Sequence, residues 1–250
     1  MLTAEQKERY DRHLMLAGVG TVGQEKLLAG SVLVIGAGGL GSPALLYLVA
    51  AGVGRVGVVD SDVVELSNLQ RQILHSTERI GQLKVASAAA GLQPLNPHVQ
   101  LTAYTFRVAA DSIDALIKEY DFVIDATDNF ESKFLINDAC VRGGKAFSHG
   151  GILRYNGQTM TVTPGKSPCY RCIFPESLEG EDALACSKAG VLGVLPGIIG
   201  TLQATEAIKY LTGVGEMLLG RLLTYDSAAM KFREVAVRRN AACPVCGVTE

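Results

Sequence analysis

Residues 31–43 read SVLVIGAGGLGSP, an apolar run that breaks into a glycine-rich turn, and the helix-forming run ALLYLVAAG follows at once. A strand that ends in glycines and gives way to a helix is built to hold phosphate. The backbone can approach the ligand closely where side chains are missing, and the helix amino end offers free N–H groups and partial positive charge. Gly36, Gly38, Gly39 and Gly41 are the candidate cradle. Their GxGxxG spacing is shared by sites for NAD, FAD and other nucleotides, so the turn sets the fold class without identifying the ligand.

Working outward, short apolar runs alternate with helical ones. Strands are predicted at 31–36, 55–60, 99–106, 121–127 and 145–150, with helices over 42–52, 82–93, 112–119 and 131–142. That alternation argues for βαβ units and a parallel sheet. The pattern then changes. Residues 151–163 alternate around Asn156-Gly157, which predicts a hairpin turn there. Residues 196–213 open with proline and close with glycine, as a helix should. MLLGRLLTYD (217–226) and KFREVAVRR (231–239) predict a further antiparallel pair. The expected fold is α/β, a Rossmann-like, mostly parallel sheet extended by antiparallel strands. No linker or internal repeat divides it, so 1–250 reads as a single domain. It has an amino-terminal helical segment (1–30), a nucleotide-binding core (31–150) and an antiparallel extension with a crossover segment and cysteine knuckles (151–250).

Composition excludes several classes. With 250 residues, 48% of them hydrophobic, the chain can bury a substantial core. A net charge of −2 leaves no basic footprint for nucleic acid or an anionic membrane surface. There is no uncharged apolar run long enough to span a bilayer, and MLTAEQKERYDRHL is too polar for a signal peptide. A cytoplasmic protein is expected.

The phosphate's owner must come from other residues. Asp60 ends the second strand, where nucleotide folds place the acid that grips ribose hydroxyls; this suits NAD and ATP alike. A triphosphate carries more charge than a dinucleotide and needs cations and a carboxylate-bound Mg²⁺. Asn68, Arg71 and Lys84 follow the ribose acid, and Asp128 lies just past the strand DFVIDAT, at the edge where open α/β sheets bind ligands. Taken singly, Arg71 and Lys84 are solvated surface charges and Asp128 caps the helix near Asn129. Taken together they favour ATP over an NAD-dependent oxidoreductase or a nucleotide-binding scaffold, and no hydride site is nominated.

RYDRHL, GAGGLGSP, DSDVVELSNLQRQ, IGQLK, DATDN and AGVLGVLPGIIG, taken together, resemble the MoeB/ThiF family, bacterial relatives of ubiquitin-activating enzymes. The resemblance runs from about residue 8 to the final cysteines. It implies that Gly36, Gly38, Gly39, Gly41, Asp60, Asn68, Arg71, Lys84, Asp128 and Asn129 bind ATP, with Asp60 on the ribose, Asn68, Arg71 and Lys84 on the phosphates and Asp128 on Mg²⁺. It also implies a homodimer in which Arg12 reaches into the partner subunit's site. The implied reaction adenylates the C-terminal glycine of a ubiquitin-like sulfur-carrier protein. That carrier is MoaD-like, for molybdenum cofactor biosynthesis, with a ThiS-like carrier for thiamine, or the carrier of another sulfur pathway, as the alternative. Joining two anions asks for arginines, a lysine and a metal, and for no protein nucleophile.

Cys169-Tyr-Arg-Cys172 and Cys243-Pro-Val-Cys246 are two CxxC pairs, the second followed by Gly247. Two pairs suit a tetrahedral Zn²⁺ site better than a thioredoxin-like redox pair, although their separation exceeds that of a small zinc ribbon; the resemblance supports the zinc reading. Cys140 reads as a small apolar core residue. Cys186 falls where related activating enzymes carry a thiol that can link to sulfur or acyl carrier, against the plainer reading of a loop thiol with Lys188 nearby. No rhodanese sequence follows the second pair, so a separate sulfur-donor protein is expected. His149 is expected to end a strand or line the sheet edge rather than act as a base.

Overall fold

The computed structural model describes residues 1–174 and 189–247. Three amino-terminal helices, α1 (Ala4–Arg9), α2 (Asp11–Leu14) and α3 (Gly20–Ala29), lead into β1 (Ser31–Ile35). Then come α4 (Gly41–Ala50), β2 (Arg55–Val59), α5 (Lys84–Leu92), β3 (Gln100–Tyr104), α6 (Ile113–Lys118), β4 (Phe122–Asp125) and α7 (Phe130–Arg142). The chain continues through β5 (Phe147–Leu153), β6 (Asn156–Val162), α8 (Leu195–Thr212), β7 (Arg221–Asp226) and β8 (Lys231–Ala236). One sheet orders the strands β3-β2-β1-β4-β5-β6-β7-β8. The pairs from β3 to β5 are parallel and those from β5 to β8 antiparallel, the predicted Rossmann-like sheet with its extension.

Every residue of β1 is buried, because both faces of a parallel sheet are covered by crossover helices. Val32 and Val34 join the core under α4 and α8, with Leu45, Leu48, Ile199 and Ala204. Leu33 and Ile35 face the opposite core, with Ile113, Ile117, Ile136 and Met160. The far edge is different: β8 is exposed throughout, and its Lys231, Arg233 and Glu234 are the charges that keep an open edge from pairing with another chain.

Two readings need correction. The segment predicted as a strand and the first arm of the hairpin are one strand, β5. Its turn is not at Asn156-Gly157: Leu153 pairs with Asn156, leaving Arg154 and Tyr155 as the two-residue loop, with Arg154 at φ 56°. Gly157 lies inside β6 opposite Ile152, and a Cβ there would stand 2.5 Å from Ile199 Cγ1. The glycine that signalled a turn is instead what lets α8 close onto the sheet. Helix α8 itself forms as predicted, from Pro196 in its first turn to Gly213 in the left-handed conformation, φ 80°. Among the described residues no helix is long and apolar enough to cross a membrane.

Candidate active site

Strand order reverses between β1 and β4, and there the carboxyl ends of the parallel strands open a crevice of about 330 Å³. The glycine turn forms its floor. Gly36 sits at φ 103°, where a Cβ would fall 2.6 Å from the Ala126 carbonyl oxygen, so the turn needs glycine both for its backbone conformation and for its closeness to the end of β4. Gly41, inside α4, does not line the crevice; its Cβ would strike the Gly36 oxygen at 1.9 Å, so this glycine seats the helix against the turn. Gly39 lines the crevice beside Pro196. Gly38 also lines it, yet a Cβ there meets only Gln72 Nε2, at 3.6 Å. With no internal obstacle to a side chain, its bareness is what close approach of a phosphate requires.

The turn is clamped from two sides at Ala37. Its N–H donates to Asp60 Oδ2 (2.8 Å), and His75 Nε2 donates to its carbonyl oxygen (2.9 Å). His75 Nδ1 accepts from the Ser87 hydroxyl (2.8 Å). Burial, ahead of the charge of Lys84, lowers the pKa of His75 and keeps its ring neutral. Asp60 therefore organises the loop as well as lining the crevice; its other oxygen accepts from the Asp62 N–H (2.8 Å). The sequence reading missed the His75 part.

Arg71, Lys84, Asp128 and Asn129 all line this crevice. Lys84 begins α5 and its ammonium contacts Asp62 Oδ2 at 2.8 Å. Arg71 Nη1 donates to the Ser67 carbonyl (3.1 Å), and no carboxylate pairs with it among the described residues. Asn68 does not line the crevice: its Oδ1 accepts from the Glu65 N–H (3.1 Å), capping the turn that carries Arg71. Asn129, not Asp128, caps α7, accepting from the Ser132 N–H at 2.9 Å. Asp128 is thereby left exposed at the crevice mouth. Arg12 on α2 is 89% exposed and stands outside the crevice of its own chain. Gln72 and Arg107 line the crevice too, unforeseen; Gln72 Oε1 is buried with no partner among the described residues.

At Thr127, Asp128, Asn129 and Ile152 the crevice meets a second, larger groove of about 1000 Å³ that runs over the antiparallel strands. Tyr170, Phe174, Tyr225 and Phe232 give it aromatic walls, and Lys231 and Arg233 a cationic rim. Beneath lies a buried cluster. Asp125 Oδ2 takes Lys133 Nζ at 3.1 Å and His149 Nδ1 at 3.0 Å, and Lys133 also donates to the Gly150 carbonyl (2.6 Å). Burial would raise the pKa of Asp125, but the Lys133 charge and the His149 hydrogen bond outweigh it and hold the carboxyl at about 2. His149 is not a strand end at the sheet edge, as expected, but sits 1% exposed in the middle of β5.

The four CxxC cysteines converge, as their pairing implied: the sulfurs of Cys169, Cys172, Cys243 and Cys246 all lie within 4.8 Å of one another. Burial, then hydrogen bonds with the neighbouring thiols, pushes the Cys169 thiol up, so four thiolates need a compensating cation. Donor set and spacing fit a closed Zn²⁺ site. Cys140 is fully buried, as read. Cys186 lies outside the described residues.

The ThiF family model matches residues 10–245. The sulfur carrier protein adenylyltransferase of Thermus thermophilus is 48% identical, over 98% of this chain and 92% of the relative. The SAMP-activating enzyme E1 of Haloferax volcanii is 48% identical, over 98% and 91%. A crystal structure of Escherichia coli MccB with ATP superposes with a TM-score of 0.83 over 96% of this chain and 74% of that one; at 24% identity the likeness is one of fold. Resemblance, sheet and crevice thus agree across nearly the whole length, and the chain belongs to the ThiF family as an adenylyltransferase.

Proposed function

We propose that the chain uses ATP to adenylate the C-terminal glycine of a ubiquitin-like sulfur-carrier protein, a MoaD-like carrier serving molybdenum cofactor biosynthesis. The observation that carries this reading is the meeting of two cavities at Asp128. A polar crevice of nucleotide size joins a long aromatic groove there. An extended tail in the groove would deliver its carboxylate to the α-phosphate of a nucleotide in the crevice.

The reaction forms a bond from the tail carboxylate oxygen to the α-phosphorus and breaks the bond to the bridging oxygen, releasing pyrophosphate. No proton need move and no side chain need attack. The chain's work is to bring two anions together. Arg71 and Lys84 supply charge that is already desolvated on one side, so little reorganisation accompanies the step. Lys84 would exchange Asp62 for phosphate. Asp60 would hold ribose, Asn68 the turn beneath Arg71, and Asp128 with Asn129 the mouth. A Mg²⁺ held by Asp128 would shield the triphosphate oxygens.

We further propose a homodimer. Arg12 is exposed and does not line its own crevice, and a partner's arginine is well suited to a triphosphate because its planar fork matches phosphate oxygens. The sulfur would come from a separate donor protein. Adenylation needs no thiol of the chain, so Cys186 would serve, if anything, the later sulfur step. Zn²⁺ on the four cysteines would be structural.

Pyrophosphate exchange, measured with each candidate carrier, tests the reading. Exchange is expected with the MoaD-like carrier; exchange only with the ThiS-like carrier overturns the pathway, and exchange with none overturns the reaction. Metal analysis of protein prepared without chelator should find about one Zn²⁺ per chain.

A further inference from the structure

One polar atom in the groove wall is left over. His149 Nε2 is buried and has no hydrogen-bond partner among the described residues. Its character is fixed by its neighbours. Asp125 is ionised and can only accept, so the proton on the ring sits on Nδ1 and donates to Asp125 Oδ2 at 3.0 Å. Burial, and then the charge of Lys133, holds the pKa of His149 below its ordinary value, so the ring is neutral. Nε2 is therefore a lone-pair acceptor. The Tyr170 ring, 4.5 Å away between centroids, tilts against the imidazole.

Gly151 stands two residues on, on the same face of β5, and both line the groove. A Cβ at Gly151 would stand 3.4 Å from His149 Nε2 and equally far from Gln158 Cγ and Nε2, an ordinary contact, and its φ is not one that demands glycine. Neither backbone conformation nor crowding explains the glycine. What its bareness does is keep a side chain from standing between the groove and His149 Nε2 at that point.

A buried acceptor without a donor is unfavourable, so whatever fills the groove should bring an N–H or O–H. A glycine tail has no side-chain donors, and its terminal carboxylate only accepts. Its main-chain amides are what remains. We propose that His149 Nε2 accepts a hydrogen bond from a main-chain N–H of the carrier's terminal glycine segment, where the tail passes Gly151. This rests on the reading of the groove as the site of the tail. The contact would set how deep the tail slides, and so whether its carboxylate reaches Asp128. It would also select against tails whose amide at that position is alkylated.

Because His149 is tied to Asp125, replacing it can disturb the sheet. The test therefore uses Gly151→Ala, which sets a methyl group in van der Waals contact with His149 Nε2 and Gln158 and leaves His149 and its bond to Asp125 in place. The carrier that supports exchange is remade by peptide ligation with N-methylglycine at the last or at the penultimate position. On the wild-type enzyme, one of these carriers should show a KM raised about tenfold. Gly151→Ala should raise the KM of the unmodified carrier by a similar factor, with the KM for ATP and the melting temperature unchanged. Combined, the two losses should not multiply, because they remove the same bond. Losses that multiply, no effect of Gly151→Ala, or no effect of N-methylation at either position overturns the proposal while leaving the function intact. If the wild-type enzyme shows no exchange with any unmodified carrier, the function fails and this contact with it.

Discussion

The crevice and the groove share one sheet and meet at Asp128, yet they are built by opposite means. The crevice is made of turns at the carboxyl ends of parallel strands. Its residues come in short contiguous runs, and its walls are charged. The groove lies across the faces of antiparallel strands, and its walls come from β5, β6, β7, β8 and the segment around Tyr170. Turns at strand ends recognise a charged, compact ligand through the main chain and a few cations. Strand faces recognise an extended one through cross-strand neighbours brought together only by register, such as Tyr225 and Phe232, stacked 4.3 Å apart. The difference predicts that substitutions in the crevice change the handling of ATP, that those in the groove change the handling of the carrier, and that Asp128 changes both.

The largest effect should follow Asp128→Ala, which is expected to slow exchange on the order of 10³-fold in a folded protein. Arg12→Ala should dimerise and also lose most exchange. Mixing the two variants should restore part of the activity, because one site of each heterodimer keeps both residues. If subunits demonstrably exchange and no activity returns, Arg12 does not act across the dimer.

A second contrast lies inside the crevice. Gly36→Ala forces a side chain onto the Ala126 carbonyl at a positive φ, and should cost about 3 kcal/mol of stability in denaturant titration. Gly38→Ala should leave stability within about 0.5 kcal/mol and raise the KM for ATP about tenfold. Equal destabilisation by the two would remove the distinction between a glycine the fold needs and one the ligand needs.

Groove substitutions should be milder. Phe232→Ala removes an exposed aromatic wall and should raise the carrier KM about fivefold with the ATP KM unchanged. A change in the ATP KM instead would mean that the two cavities are not separable.

The smallest effect concerns acid. His75 and His149 are both held neutral by burial, with pKa values below the ordinary 6.5. As pH falls the unfolded chain takes up these protons first, so stability is complete above pH 6.5 and declines below it. Asp125, at about 2 against an ordinary 3.8, adds stability that is present above pH 3.8 and lost as pH falls through 2. Tm should therefore drop by a few degrees from pH 7 to 5 and more steeply below 4. A flat Tm from pH 7 to 5 would show that neither ring is kept neutral.

The same contrast decides what could be read in the sequence. The βαβ order, the glycine turn, Asp60, Arg71, Lys84 and Asp128 are legible because each lies in a contiguous run whose spacing has a physical meaning. The cysteine cluster is legible because thiols in pairs have few other uses. Asn156-Gly157 misled because a glycine chosen for contact with Ile199 looks the same as one chosen for a turn. Asp125, Lys133 and His149 were invisible as a group, since they come from three elements joined only by the pairing of β4 with β5 and the placement of α7. Asn129 took the capping role read for Asp128 because a cap is settled by one residue's φ and ψ, finer than pattern can resolve.

The four-cysteine cluster joins positions 74 residues apart in the chain, and α8, β7 and β8 lie within the loop it closes. A growing polypeptide emerges at about 5–20 residues per second, so the second pair follows the first by roughly 4–15 s. For that interval the nascent chain carries a half-site of two thiols, with no partners to complete a tetrahedron. Metal captured then would be held weakly, and oxidant arriving then would find the thiols unprotected. The clasp can close only after the last two strands have been made, so a metal held by all four sulfurs would be taken up after them, and metal content would report that the sheet was completed.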